Sequence, residues 1–111
     1  LPRLLRGESI LELKARGRLL GAFEKVEYEV CSIPLFPGDK ILFYTDGLTE
    51  AAPIKSKKAH FQHQFEEVLC ELSNAPLETL INGLYVRVLS HLAGQPFGDD
   101  LCLVGLEVLP E

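Results

Sequence analysis

The chain has 111 residues, 47% of them hydrophobic and 24% charged, the proportions of one ordinary globular domain rather than of a disordered or fibrous segment. A net charge of −5 excludes the clustered Lys and Arg surface on which phosphate-backbone binding depends, so no nucleic-acid partner is expected. No apolar run approaches the roughly 20 residues needed to cross a bilayer and no signal-like leader opens the chain, so a cytoplasmic protein without membrane partners is expected.

In chain order, Leu1 to Arg6 reads as a short apolar strand, Gly7-Glu8 as a turn, and Ser9 to Lys14 as a partly alternating second strand, which together predict a hairpin. After Gly17 and Leu20-Gly21, the alternation of Tyr28, Glu29, Val30, Cys31, Ser32 and Ile33 predicts a third strand that stops at Pro34. Pro37-Gly38-Asp39 is a turn by its chemistry, because proline presets φ at the first corner and glycine tolerates the second. It feeds Lys40 to Tyr44, an aromatic and β-branched run read as a buried strand bounded by Asp46-Gly47. Lys55, Lys57 and Lys58 read as a solvated loop.

From Phe61 the period changes. Phe61, Phe65, Val68, Leu69 and Leu72 recur at helical spacing and predict an amphipathic helix. A second helix follows, with Asn74 as its cap and Pro76 in its first turn, and an apolar stripe from Leu77 to Leu92 that ends before Gly94. Leu101 to Val108 is the final strand. Strands, two helices, then a strand predict an α+β fold built on a mainly antiparallel sheet, in a single domain over residues 1–111. The cysteines, Cys31, Cys70 and Cys102, are odd in number and far apart, so they are read as reduced core residues rather than disulfides or zinc ligands. With no methionine and a first residue in mid-pattern, the chain reads as part of a longer protein.

Two places set carboxylates beside glycine at a strand boundary: Asp46-Gly47, and Gly98-Asp99-Asp100. If those strands are neighbours, Asp46 and Asp99 approach to about 5 Å, where their repulsion at an effective dielectric near 20 is on the order of 3 kcal/mol and calls for a cation. Oxygen donors without His or Cys favour hard divalent ions, and such ions activate water and clamp phosphoryl oxygens, which points to phosphate-ester hydrolysis. Gly47 would let the backbone come close to an ion or its waters. Each acidic point taken alone is more often a common turn or a solvated loop than a ligand.

The longer string from Leu35 to Ala51, with Pro37-Gly38-Asp39 and Tyr44-Thr45-Asp46-Gly47-Leu48-Thr49-Glu50-Ala51, resembles the "L-x-P-G-D-x-L-x-L-Y-T-D-G-V-T-E-A" pattern of the SpoIIE-type, sigma-factor regulatory branch of the type 2C protein phosphatases. Leu20-Gly21 is similar to the "L-G" after that family's hairpin, and Gly98 to Val104 to its closing "D-D-x-T-L-L-V". The resemblance covers the whole chain. It implies the C-terminal half of a β-sandwich flanked by helices, two Mn²⁺ or Mg²⁺ ions at one edge, and Asp46 and Asp99 as catalytic metal ligands, with Gly47 and Asp100 supporting them. It further implies that a metal-bridging water attacks a phosphoserine or phosphothreonine, with a STAS-type anti-sigma-factor antagonist as typical substrate and sensor or receiver domains upstream.

The family's earlier half, with its metal-binding Asp-Gly pair, is expected to precede Leu1, so the chain alone is expected to be nearly inactive and, with an apolar face uncovered, oligomeric. Pro53 stands where the family has Asn, and Phe61-Gln62 replaces its "F-G"; both bear on substrate choice more than on metal binding. Two other readings stay open. His60, His63 and Glu67 lie within reach of one helix face but lack further zinc ligands, and a non-catalytic reading makes the parent a pseudophosphatase or this half a dimerisation module.

Overall fold

The computed structural model describes residues 2–14, 24–25, 27–53 and 60–110. Strands β1 (Arg3–Arg6), β2 (Ser9–Glu12), β3 (Lys40–Tyr44) and β4 (Leu103–Glu107) form one antiparallel sheet in the order β2-β1-β3-β4. A short helix α1 (Asp46–Thr49) follows β3, and helices α2 (Gln62–Leu72) and α3 (Leu77–Leu92) pack together against one face of the sheet. The expected α+β architecture is present.

The hairpin closes as predicted. Gly7 takes φ +58° at the first corner of a two-residue loop, where a side chain would be strained, as in a type II′ turn. Pro37-Gly38 is likewise the predicted turn: Gly38 has φ +91°, and the Asp39 amide donates to the Phe36 carbonyl at 3.0 Å, the pattern of type II. The Asp39 side chain completes this corner. It is only 2% exposed and accepts from the Phe36 amide at 2.8 Å and from Arg6 Nε and Nη2 at 3.0 and 2.8 Å. Arg6 also donates to the Pro34 carbonyl and lies over the Phe36 ring, so one ion pair ties the incoming segment to β1.

The Arg6 guanidinium, helped by the Phe36 amide, holds the Asp39 carboxyl below the usual carboxylate range. Because the folded value is depressed, the ionised pair contributes stability above the unfolded value of about 3.9 and loses it as pH falls through the lower folded value. The thermal midpoint should therefore drop on acidification below about pH 4 more steeply in the parent sequence than in Asp39→Asn. Parallel pH curves for the two would show that the pair contributes nothing to folding.

The core lies between the sheet and the two long helices. Leu5 and Leu42 from the sheet meet Phe61, Phe65, Val68 and Leu69 from α2 and its start, and Leu80, Leu84, Val88 and Leu92 from α3, all almost fully buried. Each such side chain stabilises the fold by about 1.5–3 kcal/mol through burial. The 3.6-residue period selects these residues, and it also selects Leu89, which the structure leaves 41% exposed at the edge of the α3 stripe. Tyr44 packs on Phe65 with ring centroids 4.8 Å apart, which ties the end of β3 to α2.

Several expectations are corrected. No strand forms over Tyr28–Ile33; the stretch is exposed, Val30 to 86%, and alternation cannot make a strand without a neighbour to bond its backbone. All three cysteines are exposed and free: Cys70 lies on the outward side of α2, and Cys31 and Cys102 lie outside any strand. Pro76, not Asn74, is the N-cap of α3, with no side-chain cap bond; proline's lack of an N–H suits that place. Asp46-Gly47 opens α1 rather than merely bounding β3, and β4 begins at Leu103, two residues later than expected. Leu20-Gly21 and the lysine loop lie outside the described residues.

The other sheet face is covered at its centre, where Leu4 is fully buried, and exposed around it. Leu11, Leu4, Ile41 and Leu106 stand directly opposite one another across the four strands, with Phe43 opposite Val104 in the next row. Leu11, Phe43, Val104 and Leu106 are exposed.

Candidate functional site

The site region is the end of the sheet where β3 runs out and β4 begins. Tyr44 pairs with Leu103, so the chain leaving β3 and the chain entering β4 lie side by side. Thr45 fastens them: its amide donates to the Cys102 carbonyl at 3.1 Å, its hydroxyl donates to the Asp100 carbonyl at 3.3 Å, and the hydroxyl accepts from the Cys102 amide at 3.0 Å. The next two residues are Asp46 and Gly47.

Gly47 is buried, and a Cβ built on it would collide with the Asp100 carbonyl oxygen and lie 3.4 Å from that of Asp99. The glycine is thus required by the approach of the 98–100 backbone; its φ is ordinary. Sequence reasoning had it making room for an ion, and the neighbour that takes the room is the second acidic loop. Asp99 turns its own Oδ1 to the Asp100 amide at 2.7 Å, and Asp46, Asp99 and Asp100 are all exposed.

Two clefts flank this junction. The larger, 430 Å³, runs from Asp46 and Thr49 to Tyr44, Arg3 and Glu66; the other, 380 Å³, is walled by Gly47, Glu50, Ala51, His60, Gly98 and Asp99. Asp46 opens on the first and Asp99 on the second, and Glu50 borders both. The β3–β4 register therefore brings the two predicted carboxylates to one end of the molecule, on the two sides of a shared glutamate. His60 lies in the Asp99 cleft, apart from any zinc cluster with His63 and Glu67.

In the first cleft Arg3 is the organising cation. Its side chain is 13% exposed, pairs with Glu66 at 2.8 Å and Glu12 at 3.4 Å, donates to the Tyr44 hydroxyl at 2.9 Å, and lies over the Tyr44 and Phe65 rings. Burial pushes the Tyr44 phenol up, with Arg3 pulling the other way, so the hydroxyl stays protonated and able to donate in turn. Thr45, Glu50 and Arg3 were not singled out from the sequence. The first two lie inside the string that carries the resemblance, where a closer look at the polar residues flanking Asp46 would have found them; Arg3 carries no local signal, since its partners lie 9 to 63 positions away.

Among the described residues, no three His, Cys, Asp or Glu side chains gather as a metal-binding cluster. The donors at hand are carboxylate oxygens, which suit a hard divalent ion, while Asp46 and Asp99 line different clefts and do not gather with Glu50 around one point. The chain would accordingly supply part of a coordination shell.

The family model described as Stage II sporulation protein E (SpoIIE) matches residues 1–109, and the chain belongs to that family. The phosphatase domain of the cell fate determinant SpoIIE from Bacillus subtilis, presoaked with Mn, superimposes with a TM-score of 0.73 at 19% identity, over 99% of this chain and 47% of that one. The SiaA-PP2C domain of Pseudomonas aeruginosa gives a TM-score of 0.77 at 22% identity, over 96% of this chain and 42% of that one. The fold is thus that of a PP2C-type phosphatase domain, and the chain spans just under half the length of these structures. No curated protein sequence matches the chain. Among the described residues no helix is long and apolar enough to cross a membrane.

Proposed function

We propose that this chain contributes the C-terminal half of a Mn²⁺- or Mg²⁺-dependent protein serine/threonine phosphatase domain, with Asp46 and Asp99 as its metal ligands and Gly47 and Asp100 holding them in place. The observation that carries the reading is the convergence of Tyr44-Thr45-Asp46-Gly47 and Gly98-Asp99-Asp100 at one end of β3 and β4, in a chain of the SpoIIE family. When bound, a divalent pair supplies an activated water and charge neutralisation for phosphoester hydrolysis. The chain's own part is to keep two carboxylates at fixed spacing on clasped backbone and to offer clefts on either side for a substrate segment.

The substrate class is a phosphoserine or phosphothreonine on a cytoplasmic regulatory protein, with a STAS-type antagonist as the leading candidate and a sensor or receiver domain in the parent chain. Support for this rests on family membership. The test is turnover of a phosphorylated antagonist with Mn²⁺ by the full-length protein and by this chain alone. The full-length protein should be active and the chain slower by at least about 10³-fold, since incomplete ligation forfeits several kcal/mol of charge stabilisation. Comparable rates would overturn the proposed division of the site.

A non-catalytic association module is the second reading, favoured by the exposed row of Leu11, Phe43, Val104 and Leu106. The same row implies that the chain alone associates. Sedimentation at micromolar concentration should give a dimer or larger species, and a clean monomer would contradict it.

A further inference from the structure

We infer that His60 is a substrate-binding residue, its imidazole N–H donating a hydrogen bond to phosphoryl oxygens held in the cleft it shares with Asp99. The inference rests on the phosphatase reading and deepens it, because it assigns a donor that the resemblance does not supply. Of the six described residues walling this 380 Å³ cleft, the side chains of Glu50 and Asp99 are carboxylates and repel a phosphoryl group, while Gly47, Gly98 and Ala51 offer no side-chain donor. Among the described residues that line the cleft, His60 is the one whose side chain can donate to an anion. A metal ion at Asp99 would neutralise part of the negative charge, yet a tetrahedral phosphoryl group turns oxygens away from the metal as well as towards it. Those outward oxygens call for an N–H donor elsewhere on the cleft lining, where His60 stands.

His60 is also held where such a donor must be. The amide of its neighbour Phe61 donates to the Ala51 carbonyl at 2.8 Å, the His60 carbonyl accepts from the His63 amide at 3.2 Å, and the Phe61 ring is fully buried in the core. The start of α2 is thereby fixed to the end of α1, and His60 is half-buried beside the candidate ligand rather than free on the surface. Its imidazole takes no hydrogen-bond or ion-pair partner among the described residues. That contrasts with His91, whose Nδ1 is 3.0 Å from Gln64 Nε2.

The test uses the full-length protein loaded with Mn²⁺, with inorganic phosphate as the binding probe and p-nitrophenyl phosphate as the turnover probe. His60→Ala should weaken the phosphate Kd and raise KM by about tenfold, the loss of one hydrogen bond to a charged group, with half-saturating Mn²⁺ unchanged. His60→Gln, which keeps an N–H donor, should recover most of that loss, a result that a purely structural role would not give. An unchanged phosphate Kd in His60→Ala, or a raised Mn²⁺ requirement, would overturn the assignment. Wild-type protein that binds phosphate through His60 but turns nothing over would sink the phosphatase reading while leaving the anion-binding role intact.

Discussion

Asp46→Asn and Asp99→Asn, each made in the full-length protein, should lower Mn²⁺-dependent kcat/KM by about 10³-fold, because each removes a carboxylate charge from a metal site whose electrostatic contribution is several kcal/mol. Asparagine keeps the size and one oxygen, so half-saturating Mn²⁺ should rise as kcat falls. Both side chains are exposed, and the bond from the Asp100 amide to Asp99 Oδ1 can be kept by an asparagine oxygen. The thermal midpoint should therefore hold while activity is lost. The double variant should be no worse than the poorer single one by more than about tenfold, as for groups acting as a unit. Loss of less than about tenfold in either single variant would remove that residue from the metal shell.

Gly47→Ala should be the most damaging alanine substitution among the described glycines. Its Cβ would fall on the Asp100 carbonyl, with the carbonyl carbon at 2.8 Å, and neither is the tip of a flexible side chain that can swing aside. Relief requires α1 or the 98–100 loop to move, against the three hydrogen bonds that Thr45 makes there. Overpacking of this kind costs about 2–3 kcal/mol. In a chain of this size that is a fall of roughly 10–15 °C in Tm. In the full-length protein the displaced Asp99 should cost a further factor of about 10² in turnover, as misplacements near 1 Å do. A midpoint within about 2 °C of wild type, together with full activity, would show that the two backbones do not touch as described.

Periodicity located the elements that bury a face. The stripe of Phe61, Phe65, Val68 and Leu69 and that of Leu80, Leu84 and Val88 read as helices because the core needs those side chains on one side, and the glycines of the two tight turns announced themselves by type. It failed where a pattern reports a face without reporting a neighbour. Tyr28 to Ile33 alternates and stands unpaired, which leaves Cys31 exposed, and the outward position of Cys70 depends on which side of α2 the sheet and α3 occupy. The candidate site was legible as two separated acidic points and as a family-like string. What joins them was not: the Thr45 clasp, the room made at Gly47 and the arrival of Glu50 and His60 in a common cleft arise from contacts 10 to 57 positions apart.

The pairing of Tyr44 with Leu103 and of Ile41 with Leu106 also sets how the chain tolerates changes in length. Adding or deleting one residue within β3 would either turn Phe43 beneath the helices in place of Leu42 and slide Asp46 along the 98–100 loop, or, with that end held, put Lys40 on the wrong side for its bond to the Ser73 carbonyl. One extra residue between Gly7 and Glu8 would only lengthen a surface turn. Length variation among natural relatives should therefore be found in the turns and be missing from β3, whatever substitutions that strand accepts.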